Sequence, residues 1–172
     1  MSYPLKNWYI IQTFVNKENL IKRKVEKLQI EDLLILLPLR KLCEKRKGVF
    51  KWVLKPLFPG YFFINKMVDM LEVKLITKID GVIKILQNNK KIIPVPEKDM
   101  EFILSLLDTE NNIPESQGFM VDDKVKITAG PLINQEGRVM AVEKRRNRIT
   151  VRIPFFNTYK DVQFSIDIIN KL

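Results

Sequence analysis

Thr109-Glu110-Asn111-Asn112-Ile113-Pro114-Glu115-Ser116-Gln117-Gly118 divides this chain into two parts of different character. The stretch is polar, carries Pro and Gly, and has almost nothing to bury, so it reads as a linker. Before it, strand and helix patterns alternate. Residues 7–13 are aromatic and β-branched, as in a strand. Residues 16–29 switch to a helical period, with Leu20, Ile21, Val25 and Leu28 on one face and Asn16 placed to cap the start. Residues 33–64 are strand-rich and include a hairpin whose tip falls near Lys47-Gly48. A short helix over 68–76, a strand over 81–86, a turn over 87–90 and a helix over 96–108 follow. After the linker come only short strands, at 124–128, 138–144, 149–153 and 159–164, broken by turns at Gly130-Pro131, 134–137 and Asn157. The layout is α+β: an α/β domain over 1–108, a linker over 109–118, and a small β-barrel over 119–172, a form that limits open sheet edges.

Lys and Arg number 30 against 20 Asp and Glu, giving a net charge of +10. That surplus favours polyanionic partners. No apolar run approaches the roughly 20 residues that cross a bilayer, so no membrane partner is expected. Residues 1–7 lack the features of a signal peptide, which points to the cytoplasm. Cys43 is the one cysteine, so no intrachain disulfide forms, and there is no histidine. The commonest general base and the commonest metal ligand are therefore missing together. No phosphate-cradling Gly loop, nucleophile elbow or Cys-x-x-Cys pair is present. The chain is expected to bind rather than catalyse, with no catalytic residue, metal or cofactor.

Two basic clusters stand out. Residues 40–55 hold seven cations (Arg40, Lys41, Lys45, Arg46, Lys47, Lys51 and Lys55) against the single anion Glu44, with Trp52 among them. Such a segment suits phosphate neutralisation, with Trp52 stacking on an unpaired base; a merely solvated hairpin tip has the same composition. The second cluster is Lys144, Arg145, Arg146 and Arg148, four cations in five residues. Arg suits phosphate forks and guanine edges, although a charged turn in a basic protein reads alike. Lys124, Lys126 and Arg152 extend this patch if they share its face, which strand alternation alone leaves open.

Three motifs in order carry a family resemblance: Trp8-Tyr9-x-Ile11-x-Thr13, Phe58-Pro59-Gly60-Tyr61, and Val125-x-Ile127-x-x-Gly130-Pro131-Leu132 with Gly137-x-Val139. Together they resemble the NusG family of transcription elongation factors over nearly the whole chain. The resemblance implies an N-terminal NGN domain, an antiparallel four-stranded sheet flanked by helices, and a C-terminal KOW domain, a five-stranded SH3-like barrel. It implies that Trp8, Phe58 and Tyr61 border an apolar depression for the clamp helices of the largest RNA polymerase subunit, with Val82, Ile83 and Ile85 lining the same groove. Aromatic residues on strands are otherwise core residues. It further implies a monomer and, in housekeeping members, docking of ribosomal protein S10 or Rho near Phe155 and Phe156. The hairpin varies within the family, so its expected contact to upstream DNA, the non-template strand or nascent RNA rests on its charge alone. The excess charge and the 143–148 turn are similar to the specialised LoaP-like branch, whose members bind a leader RNA hairpin and promote antitermination. Some relatives refold the C-terminal domain into helices. Here Val125, Ile127, Val139, Ile149, Val151 and Ile153 favour strands and a stable barrel.

Overall fold

Strand β1 (Trp8–Thr13) organises the first part of the chain. Trp8, Tyr9, Ile10 and Ile11 are all buried. Successive strand side chains point to opposite faces, so this sheet is covered on both sides. The structure is a computed structural model that describes residues 3–89 and 91–169, apart from the side chain of Arg46. It divides into two compact units, Met1–Pro38 with Pro56–Leu104, and Leu39–Lys55 with Ser105–Leu172.

In the first unit β1 is followed by α1 (Glu18–Glu26), β2 (Leu34–Leu36), β5 (Tyr61–Asn65), α2 (Met70–Thr77) and β6 (Val82–Ile85). The strands form one antiparallel sheet in the order β2-β5-β1-β6. The register Trp8↔Asn65 through Gln12↔Tyr61 sets Tyr61 at the start of β5 beside the end of β1. A two-residue ladder, β7 (Gln87–Asn88) with β8 (Lys91–Ile92), and α3 (Glu97–Ser105) complete the run. α1 is shorter than the sequence pattern suggests, and Asn16 does not cap it. Asn16 has φ 67°, and the cap position falls on Lys17, which makes no side-chain cap bond. Leu20 is exposed, while Ile21 and Val25 carry the buried face.

Glu18 explains that shift. It is buried, and its Oε1 accepts from the backbone N–H of Asn16 at 3.1 Å and of Gly60 at 2.6 Å. Thr13 N–H donates to the Gly60 carbonyl at 2.8 Å. These bonds clasp the β1–α1 loop to the Phe58-Pro59-Gly60-Tyr61 turn. Gly60 has φ +84°, and a Cβ there would lie 3.1 Å from the Thr13 carbonyl, so only glycine fits without strain.

The second unit holds β10 (Ser116–Val121), β11 (Lys124–Ala129), β12 (Val139–Glu143), β13 (Arg148–Phe155) and β14 (Thr158–Ile168). They pair in the order β11-β10-β14-β13-β12. Val125, Ile127, Ile149, Val151, Ile153, Val162, Phe164 and Ile166 are buried, while their neighbours Lys124, Lys126 and Arg152 are exposed. The C-terminal segment is thus in its strand form.

The same unit takes in β3 (Leu39–Arg46), β4 (Val49–Pro56) and β9 (Asn112–Ile113), ordered β4-β3-β9. The run expected to be a bare linker therefore holds β9 and the start of β10. β9 runs parallel to β3 through Leu39↔Asn112 and Arg40↔Ile113. Asp108 Oδ1 accepts from the N–H groups of Glu110 and Asn112, both at 2.9 Å, and so turns the chain into β9. Ile113 and Ser116 are buried, which a polar average over ten residues conceals.

Glu18→Ala leaves two backbone N–H groups without their acceptor and is expected to destabilise the first unit by about 1–3 kcal/mol. Urea unfolding followed by Trp8 fluorescence, in a Trp52→Phe background, measures this. An unchanged midpoint would show that the clasp adds nothing.

Candidate nucleic-acid interface

The two basic clusters, a hundred residues apart in sequence, come together in the second unit. β3 and β4 form a hairpin whose turn, Lys47-Gly48, has φ 49° and 82°, the left-handed pair that suits the twist of a tight hairpin. The Lys144–Arg146 3₁₀ turn joins β12 to β13 and ends on Asn147 in the left-handed region. A cleft of about 510 Å³ is lined by Cys43, Glu44, Lys45 and Phe50 of the hairpin and by Arg145, Arg146 and Arg148 of the turn.

Two guanidinium groups fix this arrangement. Arg148 Nη2 donates to the Cys43 carbonyl at 3.0 Å, and its Nη1 donates to Gln163 Oε1 at 3.0 Å. Arg40 Nη1 donates to the Gln163 carbonyl. Cys43 N–H reaches Ser165 Oγ at 3.4 Å. Burial, and then the neighbouring Arg148 charge, pull the Arg40 guanidinium down to about 10, with Glu44 opposing; it stays charged at neutral pH. Arg40 and Arg148 hold hairpin and barrel together.

The remaining described cations of the two clusters, Lys55 apart, face solvent. Lys45, Lys47, Lys51, Lys144, Arg145 and Arg146 are exposed. Phe50 is 67% and Trp52 48% exposed. Lys45 Nζ lies 5.6 Å from the Phe50 ring centre, and Lys41 Nζ 4.8 Å from that of Trp52. Carboxylates intrude at two places: Lys55 pairs with Glu44 at 3.4 Å and Arg146 with Glu143 at 3.5 Å, solvent-accessible pairs of little energy. Lys126 pairs with Glu136 at 3.3 Å, and Arg152 pairs with Asp161 through two bonds of 2.9 and 3.1 Å. The Arg152 bond holds the Asp161 carboxyl below its ordinary range. Lys124 lines a separate groove with Met120, Val139 and Met140, and also with Lys144. The Arg46 side chain lies outside the described part of the structure.

Comparison with known proteins places this geometry. Residues 6–104 match the family described as transcription termination factor NusG, and residues 121–152 match the KOW motif. The chain belongs to the NusG family. It is 28% identical over 176 residues to the transcription termination/antitermination protein NusG of Rickettsia prowazekii, covering 97% of this chain and 91% of that one. It is 24% identical to the protein of the same name from Staphylococcus aureus (strain Mu50), covering 97% and 96%. Among solved structures, one titled "Domain interaction in Thermotoga maritima NusG" shares the fold at a TM-score of 0.55 and 22% identity, covering 92% of this chain and 93% of that one.

The NusG-type first unit presents a different surface. Of the residues expected to meet a polymerase, Trp8, Phe58 and Ile85 are buried. Trp8 Nε1 donates to the Pro4 carbonyl at 2.6 Å, and Phe58 packs edge-on to Phe63. Tyr61 and Val82 are half-buried and Ile83 is exposed. Sequence reading missed a larger apolar exposure: Phe14 and Val15 beside the Gly60 turn, and Met67, Met70, Leu71 and Leu75 on or beside α2. Met67 and Met70 are 76% and 79% exposed. Five of the eight α2 residues are apolar, yet only Ile76 is buried. That excess was visible in the sequence, because a two-turn helix cannot bury every side. Asp69 and Glu72 fix its start with a reciprocal capping box, at 2.8 and 2.9 Å. No helix among the described residues is long and apolar enough to cross a membrane.

Arg148→Ala is expected to cost about 1–3 kcal/mol and to speed hydrogen exchange at the amides of β3, leaving those of β1 and β5 unchanged. Uniform exchange rates in wild type and variant would mean that other contacts hold the hairpin.

Proposed function

We propose that this NusG-family protein is an RNA polymerase-associated elongation factor that promotes processive antitermination, in the manner of the LoaP-like branch. The apolar surface of the NGN unit seats on the clamp helices of the largest polymerase subunit. Tyr61, Val82 and Ile83 contribute directly, Trp8, Phe58 and Ile85 shape the surface from beneath, and the exposed α2 side chains widen it. A packed apolar surface of this kind suits helices, which present anchors at regular spacing. The KOW unit binds a leader RNA hairpin and so recruits the factor to particular operons. The work is binding alone: a ligand that favours one polymerase conformation shifts the population towards it. Neither catalytic residues nor a cofactor enter this scheme.

The observation that carries the RNA reading is the exposure of Lys144, Arg145 and Arg146, the last two lining one cleft with the exposed Phe50 ring. A second reading is favoured by the names of the relatives, which are termination/antitermination proteins NusG. In that reading the chain is a housekeeping factor, with the KOW unit contacting Rho or ribosomal protein S10.

Single-round transcription by the host polymerase, on a template with a structured leader and a terminator, separates the two. Read-through is expected to need the leader and to fall by tenfold or so when Lys144, Arg145 and Arg146 become Ala. An elongation effect indifferent to leader and substitutions supports the housekeeping reading. In the same assay Met70→Glu with Leu71→Glu is expected to abolish the response of the polymerase, and an undiminished response would remove α2 from the docking surface.

A further inference from the structure

The geometry points to a single-stranded nucleic-acid site built jointly by the β3–β4 hairpin and the Lys144–Arg146 turn, in which Phe50 and Trp52 stack two unpaired bases while Lys45, Arg145 and Arg146 hold the adjoining phosphates. This deepens the RNA-binding part of the proposed function and rests on it for its biological setting. The binding site itself stands on the observations that follow.

Phe50 and Trp52 are two apart on β4 and so share a face, with their attachment points about 7 Å apart. Both rings are largely exposed, on a segment that buries little of its own. Large exposed aromatic side chains this close together incur a hydration cost that a stacked base removes. Lys41 and Lys45 lie over these rings. They leave when a base arrives and are then placed to meet its phosphates. Across the cleft Arg145 and Arg146 project from a turn held rigid against the hairpin by Arg148. Aromatic platforms flanked by a cationic track are the means by which proteins hold single strands, because every base offers a π-face and every linkage a charge.

Duplex fits less well. In paired helices the base faces are stacked on one another, and A-form RNA has a major groove too narrow for side chains to read. A two-stranded ribbon can enter the major groove of B-DNA. There it reads base edges with Asn, Gln or Arg, and the exposed face of this hairpin offers flat rings instead. Arg40 and Arg148 are excluded from the contact set, since Arg40 Nη1 and both Arg148 Nη groups bond Cys43 and Gln163 oxygens and Arg148 Nε is buried. Arg148 is a positioning residue. Transcript and displaced DNA strand share the chemistry required, so both belong in the test.

The test is fluorescence anisotropy of the whole protein with labelled twelve-nucleotide RNA, DNA of the same sequence, and the corresponding duplexes. Single strands are expected to bind at least tenfold tighter than duplexes. Phe50→Leu with Trp52→Leu is expected to weaken single-strand binding by about a hundredfold with the salt slope unchanged. Phe50→Tyr with Trp52→Phe keeps flat rings and is expected to retain binding. Arg145→Ala with Arg146→Ala is expected to reduce the slope of log affinity against log salt by about 1–2. Preference for RNA assigns the transcript as the source, and preference for DNA assigns the displaced strand. Equal or tighter duplex binding, or indifference to the leucine pair, overturns the assignment. If oligonucleotide binding behaves as expected while the polymerase ignores the protein, the cleft stands and the antitermination reading fails. If read-through survives the leucine pair while oligonucleotide binding is lost, the cleft is not the recruiting site.

Discussion

The position of the β3–β4 hairpin rests on two guanidinium groups that bond neutral oxygens of Cys43 and Gln163. A guanidinium taken partly out of water must find acceptors or it destabilises what surrounds it. Arg40 and Arg148 find theirs on Gln163 and Cys43, at the junction of β3, β13 and β14. Burial lowers the Arg40 pKa, and the neighbouring Arg148 charge lowers it further, against the opposing pull of Glu44. The Gln163 and Cys43 oxygens are neutral, while Glu44 offsets part of the Arg40 charge. The exposed Lys45, Arg145 and Arg146 carry the positive surface of the cleft.

The two units carry surfaces of unlike chemistry. The first shows Met67, Met70, Leu71 and Leu75 to solvent, and the second shows a basic cleft with aromatic rings. Apolar contact hardly notices ionic strength, whereas phosphate binding weakens steeply as salt rises. A factor with both kinds of surface can keep one attachment while releasing the other, and salt is the variable that tells them apart.

The sequence revealed much of this architecture, and its failures have physical causes. β1, β5, β6 and the barrel strands follow from β-branched and aromatic runs, and Gly60 from the turn that contains it. Both basic clusters were visible as composition. Their meeting was not, because Arg148 and Cys43 are 105 residues apart and no local pattern encodes a contact of that range. The segment before β10 misled because Ile113 and Ser116 are two buried residues in an otherwise polar run. Asn16 misled because its backbone sits in the left-handed region, with its N–H bonded to the Glu18 carboxylate, instead of in the extended geometry of a cap. Strand alternation left Lys124, Lys126 and Arg152 ambiguous, and the buried partners Val125, Ile127, Val151 and Ile153 settle which face they occupy.

The 105-residue gap between the two halves of the cleft also orders events during synthesis. The hairpin leaves the ribosome first, and the turn that completes the cleft follows after roughly 5–20 s at ordinary elongation rates. Until then the hairpin has neither the Arg148 pin nor the strand β14 against which it packs. Closing so long a loop carries an entropic cost that only the finished barrel offsets. A truncated chain would therefore carry an unassembled site, and its exposed Phe50 and Trp52 would be open to misplaced contacts. The cleft is thus completed late, as a property of the assembled second unit and not of the hairpin that supplies its rings.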